Sequence, residues 1–264
     1  MKNLINQTFL EDGKKLITFV TGGDPDFETS KDIIKTIINN NIDIIEIGMP
    51  FSDPMADGPT IQLSSNRAIK KEINLDKIFS LSKFAKNLKN NLPIILMGYY
   101  NMILHYGVKN FVTNCVKNGV DGLIVVDLQP EEDEELIENL KDSNIDLIRL
   151  ITPTTNEERL KLILQNASGF LYFVSITGIT GQKSANLIEL EKSIRKIKNF
   201  TDLPVVPGFG IKNATDVKNI CKIADGAVVG SSIIKIIEEN LNDKQRMLSE
   251  IDKFSKDLKN GTKV

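Results

Sequence analysis

The chain has 264 residues, of which 41% are hydrophobic and 26% charged, so it can bury a large apolar core. Its formal net charge is −2 and it has no dense block of lysine and arginine, which argues against nucleic acid as a partner. No apolar run approaches the ~20 residues of a membrane span, so we expect no membrane segment.

Cysteine and histidine are scarce. Cys115 and Cys221 have no cysteine or histidine neighbour at the spacing of a metal site, so we expect no metal. Two cysteines in a chain of this length favour a reducing compartment. The first residues lack the apolar segment of a secretory signal, so we expect a cytoplasmic protein, while a plastid address or gene also fits. His105, in the segment NMILHYG, is predicted to be a structural or surface residue in a loop.

Strand-like apolar runs alternate with amphipathic segments along the chain, after a short predicted helix at 3–11. The predicted strands are residues 15–21, 43–48, 93–98, 121–127, 145–151, 169–175, 204–207 and 226–230. The amphipathic segments that follow the second to eighth strands are residues 59–90, 107–118, 130–142, 156–166, 187–199, 212–223 and 232–258.

This alternation indicates right-handed parallel units. Eight strands in 264 residues fit a (β/α)8 barrel better than a doubly wound sheet, which usually has fewer strands and a glycine-rich first turn. The first turn here is TGGDP, at 21–25, which is not G-x-G-x-x-G. Since no segment has the composition of a linker, we predict one barrel domain over residues 1–264, with an extra N-terminal helix.

Glu46 lies in the second predicted strand, among four isoleucines that are too apolar and β-branched for a surface strand. Burial of an unpaired carboxyl raises its pKa toward the range in which it both gives and takes a proton. The next loop, at 51–58, carries Asp53 and Asp57 before a helix predicted to begin near Pro59. Glu46 and Asp57 are candidate acid–base residues, but a Glu46–lysine pair and turn-forming aspartates fit the spacing equally well.

In a (β/α)8 barrel, catalytic groups come from the carboxyl ends of the strands and the loops after them. Glu46, Asp57, Asp127 and Tyr172 all lie near such ends. Alternation in the segment FLYFVS places Tyr172 on the same face as Phe170 and Val174. Tyr172 is therefore predicted to face the barrel mouth with its polar tip, and a core tyrosine is the alternative.

Three glycine-bearing segments follow the last three predicted strands, at 178–181 (GITG), 207–210 (PGFG) and 230–232 (GSS). Backbone amides exposed at glycines, ahead of a helix predicted to begin near Ser231, form an anion site. Barrels of this kind often bind phosphate at the loops after strands 7 and 8. A phosphorylated substrate is therefore predicted, although turns alone also require glycine.

Several segments together resemble the family of tryptophan synthase α subunits, in the same order and spacing from end to end. The longest is EIGMPFSDPMADGPTIQ at 46–62. The others are GDP at 23–25, MGYYN at 97–101, SITGITG at 175–181, PGFGI at 207–211 and GSSIIK at 230–235. The resemblance implies a carbon–carbon lyase that cleaves indole-3-glycerol phosphate to indole and glyceraldehyde 3-phosphate. It also implies a β subunit that receives the indole and holds pyridoxal phosphate, with no cofactor in this chain, in an α2β2 tetramer.

By position, the resemblance assigns proton transfer to Glu46 and stabilisation of the indole ring charge to Asp57. It assigns substrate binding to Phe19, Tyr172, Thr180, Gly181, Phe209, Gly210, Gly230 and Ser231. It assigns contact with the β subunit to Asp53, Pro54 and Asn101.

The sequence departs from the pattern of this family at two places. Ile176 and Thr177 stand where many members have arginine and alanine, and Gln129 stands where proline is common. Neither departure touches the proton chemistry. A stand-alone lyase and a non-catalytic activator of a β subunit remain alternatives, although an activator would be expected to have lost Glu46 or Asp57. Other phosphate-binding barrels, such as indoleglycerol-phosphate synthase or a phosphoribosyl isomerase, lack the loop at 51–59.

Overall fold

The computed structural model describes residues 3–174, 183–208 and 210–264. Its strands are β1 (Lys15–Thr21), β2 (Ile44–Gly48), β3 (Ile94–Gly98), β4 (Gly122–Val125), β5 (Asp146–Leu147), β6 (Arg149–Ile151), β7 (Leu171–Phe173), β8 (Val205–Pro207) and β9 (Gly226–Val229). All the described strand pairs are parallel. The segments β5 and β6 form one barrel strand, because only Ile148 separates them and its N–H donates to the carbonyl of Leu123 across the sheet.

The strands close into a ring. One sheet has the order β5-β4-β3-β2-β1-β9, and β6, β7 and β8 follow in order. Between β8 and β9, the N–H of Asp225 donates to the carbonyl of Val205 at 3.2 Å. The N–H of Val205 in turn donates to the carboxylate of Asp225 at 2.8 Å. The predicted eight-stranded (β/α)8 barrel is therefore confirmed.

The helices surround the barrel. They are α1 (Leu4–Leu10), α2 (Phe27–Asn39), α3 (Pro59–Lys70), α4 (Leu75–Leu88), α5 (Tyr100–Tyr106), α6 (Val108–Lys117), α7 (Glu134–Leu140), α8 (Glu157–Leu164), α9 (Lys183–Lys198), α10 (Ala214–Cys221), α11 (Ser231–Glu239) and α12 (Lys244–Gly261). A short 3₁₀ turn, Pro130–Glu132, precedes α7. Among the described helices, none combines the length and the apolar character that crossing a membrane requires.

The structure adds detail to two of the amphipathic segments and corrects the position of His105. The segment 59–90 forms two helices, because the chain turns at Glu72 with a φ of 56°. The segment 232–258 is likewise divided into α11 and α12. His105 lies in the helix α5 and not in a loop. That helix has seven residues and buries only Ile103 fully, so it carries too little apolar periodicity to be recognised in the sequence.

Inside the barrel is an apolar cluster to which the strands contribute their inward residues. It contains Ile17, Ile44, Ile95, Ile124, Ile148, Phe170, Tyr172, Val206 and Val228. Ile5 of α1 belongs to this cluster and Phe9 packs against it, so the N-terminal helix covers one end of the barrel. Phe170 and Tyr172 point inward together, with Val174 packed against them, which confirms the predicted alternation.

Two helices follow β2, and they have different positions. The second, α4, contacts α2 and β3 and so occupies the usual place of a barrel helix. The first, α3, contacts β1 and α11. The hydroxyl of Thr21, the last residue of β1, is 2.5 Å from that of Ser64 in α3. Helix α3 is therefore an additional helix at the carboxyl end of β1, beside the barrel mouth.

Candidate active site

Glu46 is the centre of the site. It lies in β2, paired in register with Phe19 of β1 and Ile95 of β3, and its side chain is fully buried. Neither carboxyl oxygen has a hydrogen-bond partner among the described residues, so the alternative of a Glu46–lysine pair is not supported there. Burial, and secondarily the charge of Asp57, raises the pKa of Glu46 to about 8. The carboxyl is therefore largely protonated at neutral pH.

Asp57 lies on the loop between β2 and α3, two residues before the first residue of that helix. The hydroxyl of Tyr99 donates to Asp57 Oδ2 at 3.0 Å, and the N–H of Ala56 donates to the same hydroxyl at 3.0 Å. Burial raises the pKa of Asp57 above its ordinary value, and the bond from Tyr99 opposes that effect. Since the charge of Asp57 reaches Glu46, the structure brings the two predicted carboxyls together in one site.

Tyr99, which bonds Asp57, is a site residue that the sequence analysis does not predict. It follows β3 directly, is 3% exposed, and stacks on Phe51 with ring centroids 5.1 Å apart. Burial and the charge of Asp57 raise the pKa of its phenol, so it remains a hydrogen-bond donor. The rule that drew attention to Tyr172, a tyrosine at the carboxyl end of a barrel strand, applies equally to Tyr99.

Tyr172 lies across the barrel from β2. Its side chain is 8% exposed, and its hydroxyl donates to the carbonyl of Gly208 at 3.1 Å. A Cβ atom at Gly208 would collide with the Tyr172 ring, so a glycine is needed there. Burial first, and then the charges of Glu46 and Asp57, raise the pKa of the phenol. Tyr172 therefore faces the same interior space as both carboxyls, as the alternation predicted.

A narrow, largely apolar cleft opens beside Asp57. Thr21 and Ser65 add hydroxyl groups to it, and two glycines allow close packing of its walls. A Cβ at Gly48 would lie 2.6 Å from the ring of Phe19, and one at Gly98 would lie 2.6 Å from the methyl carbon of Met49. The apolar walls are formed by Phe19, Met49, Ile61, Met97 and Val126. Apolar walls with a few polar groups are the usual lining of a small-molecule site.

Two of the glycine-bearing loops lie side by side at the far edge of the mouth. Gly210 has a φ of 74°, and Ser231 is the first residue of α11, with Gly230 as its N-cap. The hydroxyl of Ser232 donates to the carbonyl of Ile211 at 3.1 Å, which holds the two loops together. The predicted helix start near Ser231 is confirmed. Of the other predicted site residues, Thr180, Gly181 and Phe209 lie outside the described residues, as do Ile176 and Thr177.

The residues predicted to face a partner lie on neighbouring segments. Asp53 and Asn101 are exposed and Pro54 is half-buried. The stacking of Phe51 on Tyr99 places the loop of Asp53 beside the start of α5. Gln129 Oε1 accepts a hydrogen bond from Arg159 at 3.1 Å.

A (β/α)8 barrel with a buried carboxyl in β2 and a second carboxyl on the next loop has the architecture of a barrel enzyme of the acid–base class. Comparison with known proteins gives the family. The family model described as "Tryptophan synthase alpha chain" matches residues 5–263. The chain belongs to the tryptophan synthase alpha chain family, which confirms the resemblance found in the sequence and identifies a lyase of tryptophan biosynthesis.

Individual relatives agree with this assignment. The tryptophan synthase alpha chain of Petrotoga mobilis is 46% identical over 97% of this chain and 98% of that protein. The alpha chain of Geotalea uraniireducens is 43% identical over 95% of this chain and 93% of that protein. The crystal structure of tryptophan synthase subunit alpha from Legionella pneumophila str. Paris has a TM-score of 0.91 at 32% identity, with 99% of each chain covered.

The buried Glu46 carboxyl should make the stability of the fold depend on pH. Its pKa is raised, so the stability that the protonated form contributes is fully present below the unfolded pKa and is lost as pH rises toward about 8. Each pKa unit corresponds to about 1.4 kcal/mol. Glu46→Gln, which cannot ionise, should therefore have a higher Tm than wild type near pH 8, with the difference shrinking toward pH 5.

The measurement is thermal unfolding followed by circular dichroism across this pH range. Glu189→Gln, which changes an exposed carboxyl in α9, is the matched control and should track wild type at every pH. A Tm difference between Glu46→Gln and wild type that is independent of pH would contradict the proposed protonation state.

Proposed function

We propose that the chain cleaves indole-3-glycerol phosphate to indole and glyceraldehyde 3-phosphate by a retro-aldol reaction. The observation that carries this proposal is a fully buried Glu46, without a hydrogen-bond partner among the described residues, beside a second carboxyl, Asp57, at the mouth of the barrel. Family membership supports the same reaction, because the resemblance already implied it. We also propose that residues 1–264 form one catalytic domain.

The reaction needs one proton added and one removed. Protonation of indole C3 places a positive charge on the ring, and removal of the proton from the adjacent glycerol hydroxyl forms the aldehyde. The bond between C3 and the glycerol carbon then breaks, and its electron pair neutralises the ring. With its pKa near 8, Glu46 is protonated at neutral pH and can give its proton to C3. The resulting carboxylate can take the hydroxyl proton, so the group returns to its starting form.

Asp57 supplies a negative charge to this site. An ionised Asp57 that accepts a hydrogen bond from the indole N–H would stabilise the ring cation as it forms. The bond from Tyr99 favours the ionised form of Asp57 and fixes one of its oxygens. The two carboxyls thus divide into a neutral acid and a charged stabiliser. One is fully buried and has no hydrogen-bond partner in the described part of the chain, while the other is partly buried and hydrogen-bonded.

Glu46→Gln is the direct test of this proton transfer. The amide keeps the shape of the side chain but cannot give and retake a proton at C3, so indole release should become undetectable in a folded variant. The assay is steady-state indole formation from indole-3-glycerol phosphate. Retention of a tenth of the wild-type kcat would exclude Glu46 as the proton carrier, and no indole from wild type would refute the proposed reaction.

We propose that the phosphate binds the backbone amides at Gly210, Gly230 and Ser231. These amides lie at the start of α11 and on the loop packed against it, where an anion is favoured. Phe209, Thr180 and Gly181 are assigned to substrate by the resemblance alone.

Gly210→Val tests the phosphate site. Gly210 has a φ of 74°, and a β-branched side chain there strains the backbone that presents the amides, so the Kd for glyceraldehyde 3-phosphate should rise several-fold. Gly13→Val is the matched control, since Gly13 has a φ of 89° in the loop before β1, at the opposite end of the barrel. Calorimetry that shows equal affinity in both variants would place the phosphate elsewhere.

We propose that the partner is a tryptophan synthase β subunit in an α2β2 tetramer. The name alpha chain, which the relatives carry, implies a second kind of chain. The contact surface would include Asp53, Pro54 and Asn101, beside two exposed apolar side chains, Met55 and Leu104. Pyridoxal phosphate would belong to that β subunit and not to this chain. A stand-alone lyase would use the same catalytic residues.

Mixing experiments separate these two possibilities. A purified β subunit should form a complex with the chain, seen by analytical ultracentrifugation, and should raise the rate of indole release. Asp53→Lys should weaken the complex, because it reverses a charge on the proposed contact surface. Asp202→Lys, at an exposed position on the loop before β8, should leave it unchanged. No complex with wild type would favour the stand-alone lyase.

A further inference from the structure

We propose that the ion pair between Asp24 and Arg67 positions Asp57 for catalysis, by fixing helix α3 against the end of β1. The inference rests on the proposed function of Asp57 but concerns two residues that do not touch the reacting atoms. Arg67 Nε donates to Asp24 Oδ1 at 2.7 Å and Nη2 donates to Oδ2 at 2.8 Å. This bidentate geometry fixes both the distance and the orientation of the two side chains.

The burial of this pair argues for a positioning role. The Asp24 side chain is 0% exposed and that of Arg67 is 20% exposed. Burial raises the pKa of Asp24 even though Arg67 opposes the effect, so the cost of removing this carboxylate from water is not fully offset. A buried ion pair of this kind is weak evidence for a role in stability, because apolar residues of similar volume in the same place often give an equally stable fold. What an apolar pair lacks is the defined geometry of two parallel hydrogen bonds.

Other contacts tie the same helix to the same loop. The hydroxyls of Thr21 and Ser64 are 2.5 Å apart and buried. Just beyond the end of α3, Ile73 packs so closely on Gly23 that a Cβ there would collide with it. Three points along α3 and the residues after it are therefore held by the segment 21–24, of which Asp24 is the charged member.

Asp57 lies at the opposite end of this helix. Helix α3 begins at Pro59, and Gln62 Nε2 donates back to the carbonyl of Asp57 at 2.9 Å. A helix of 12 residues is rigid, so a shift at Arg67 moves its first turn and the loop attached to it. From the opposite side, the hydroxyl of Tyr99, the residue after β3, donates to the Asp57 carboxylate. A displacement of about 1 Å is enough to lower catalysis. Loss of the Arg67 contact should therefore shift the Asp57 carboxylate enough to slow the reaction.

The test compares variants at Arg67 with the loss of a second buried ion pair. Arg67→Gln removes the charge and the bidentate geometry, and Arg67→Lys keeps the charge alone. Lys86→Met is the matched control, because Lys86 pairs with Asp121 at 2.7 Å, with side chains 17% and 16% exposed, and Asp121 lies just before β4, at the other end of the barrel. All three variants are first checked for a folded circular dichroism spectrum.

We expect Arg67→Gln to lower kcat for indole release at least tenfold, with KM changed less than threefold. Arg67→Lys should recover part of the loss, and Lys86→Met should keep the wild-type kcat. A general loss of stability would instead lower the activity of Arg67→Gln and Lys86→Met together. Equal kcat values in these two variants would overturn the proposal.

Hydrogen exchange supplies a readout that does not depend on the lyase reaction. The N–H of Ala56 is bonded to the Tyr99 hydroxyl, so exchange in the segment 53–58 reports whether the Asp57 loop is held. It should be faster in Arg67→Gln than in wild type, and unchanged in Lys86→Met. Unchanged exchange in Arg67→Gln would overturn the positioning role even if wild type is an active lyase. If wild type releases no indole, the proposed function fails, while this exchange experiment still decides whether Arg67 holds the loop.

If Arg67→Gln does not fold, Ser64→Ala replaces it. That variant removes the second tether of α3 without leaving a buried charge. Faster exchange in the segment 53–58 together with a lower kcat would support the role of the α3 anchor, and wild-type values of both would overturn it.

Discussion

The site depends on one unfavourable feature, a carboxyl group buried among the apolar side chains of the barrel. Glu46 sits in β2 between two other strands, fully buried and without a hydrogen-bond partner among the described residues. Such a group is held neutral because ionisation without water or a counter-ion costs several kcal/mol. The isoleucines around it therefore have two effects. They form the core that makes the barrel stable, and they move the pKa of one acid into the range where it both gives and accepts a proton.

The second carboxyl is held in a different way. Strand hydrogen bonds on both sides fix the backbone at Glu46, whereas Asp57 is on a loop and relies on contacts from other elements. Tyr99 reaches it from the end of β3, and helix α3 carries it from the other side. A loop residue held by a few contacts can be moved by a partner that binds nearby, and the exposed surface around Asp53 lies on the same loop. In the proposed reaction the strand residue would transfer the protons, and the loop residue would be the one that a bound β subunit could move.

The sequence predicted features that follow from local patterns. Eight apolar runs predicted the eight barrel strands, and the isoleucines around Glu46 predicted that its side chain is buried. The alternation in FLYFVS predicted that Tyr172 lies on one face with Phe170 and Val174, and all three belong to or pack against the cluster inside the barrel. The sequence did not predict features that depend on contacts between distant segments. Tyr99 acquires its role from Asp57, which is 42 residues away in the chain. Helices α3 and α4 looked like one amphipathic segment, because the break at Glu72 is a change in backbone φ without a glycine or proline to mark it.

Phe19 packs against both halves of the proposed substrate site, the end of β2 and the loop before α11. It lies in β1, between β2 on one side and β9 on the other. A Cβ at Gly48, after Glu46 in β2, would lie 2.6 Å from its ring, and a Cβ at Gly230, before α11, would lie 3.0 Å from its Cβ. One aromatic side chain therefore packs against the end of the strand that carries the acid and against the loop proposed to hold phosphate. A substrate with an aromatic ring at one end and a phosphate at the other would span Phe19, and the bond to be broken would lie between the two ends. In the reaction proposed here that bond joins the indole ring to the glycerol phosphate, so this arrangement would place it within reach of the β2 carboxyl.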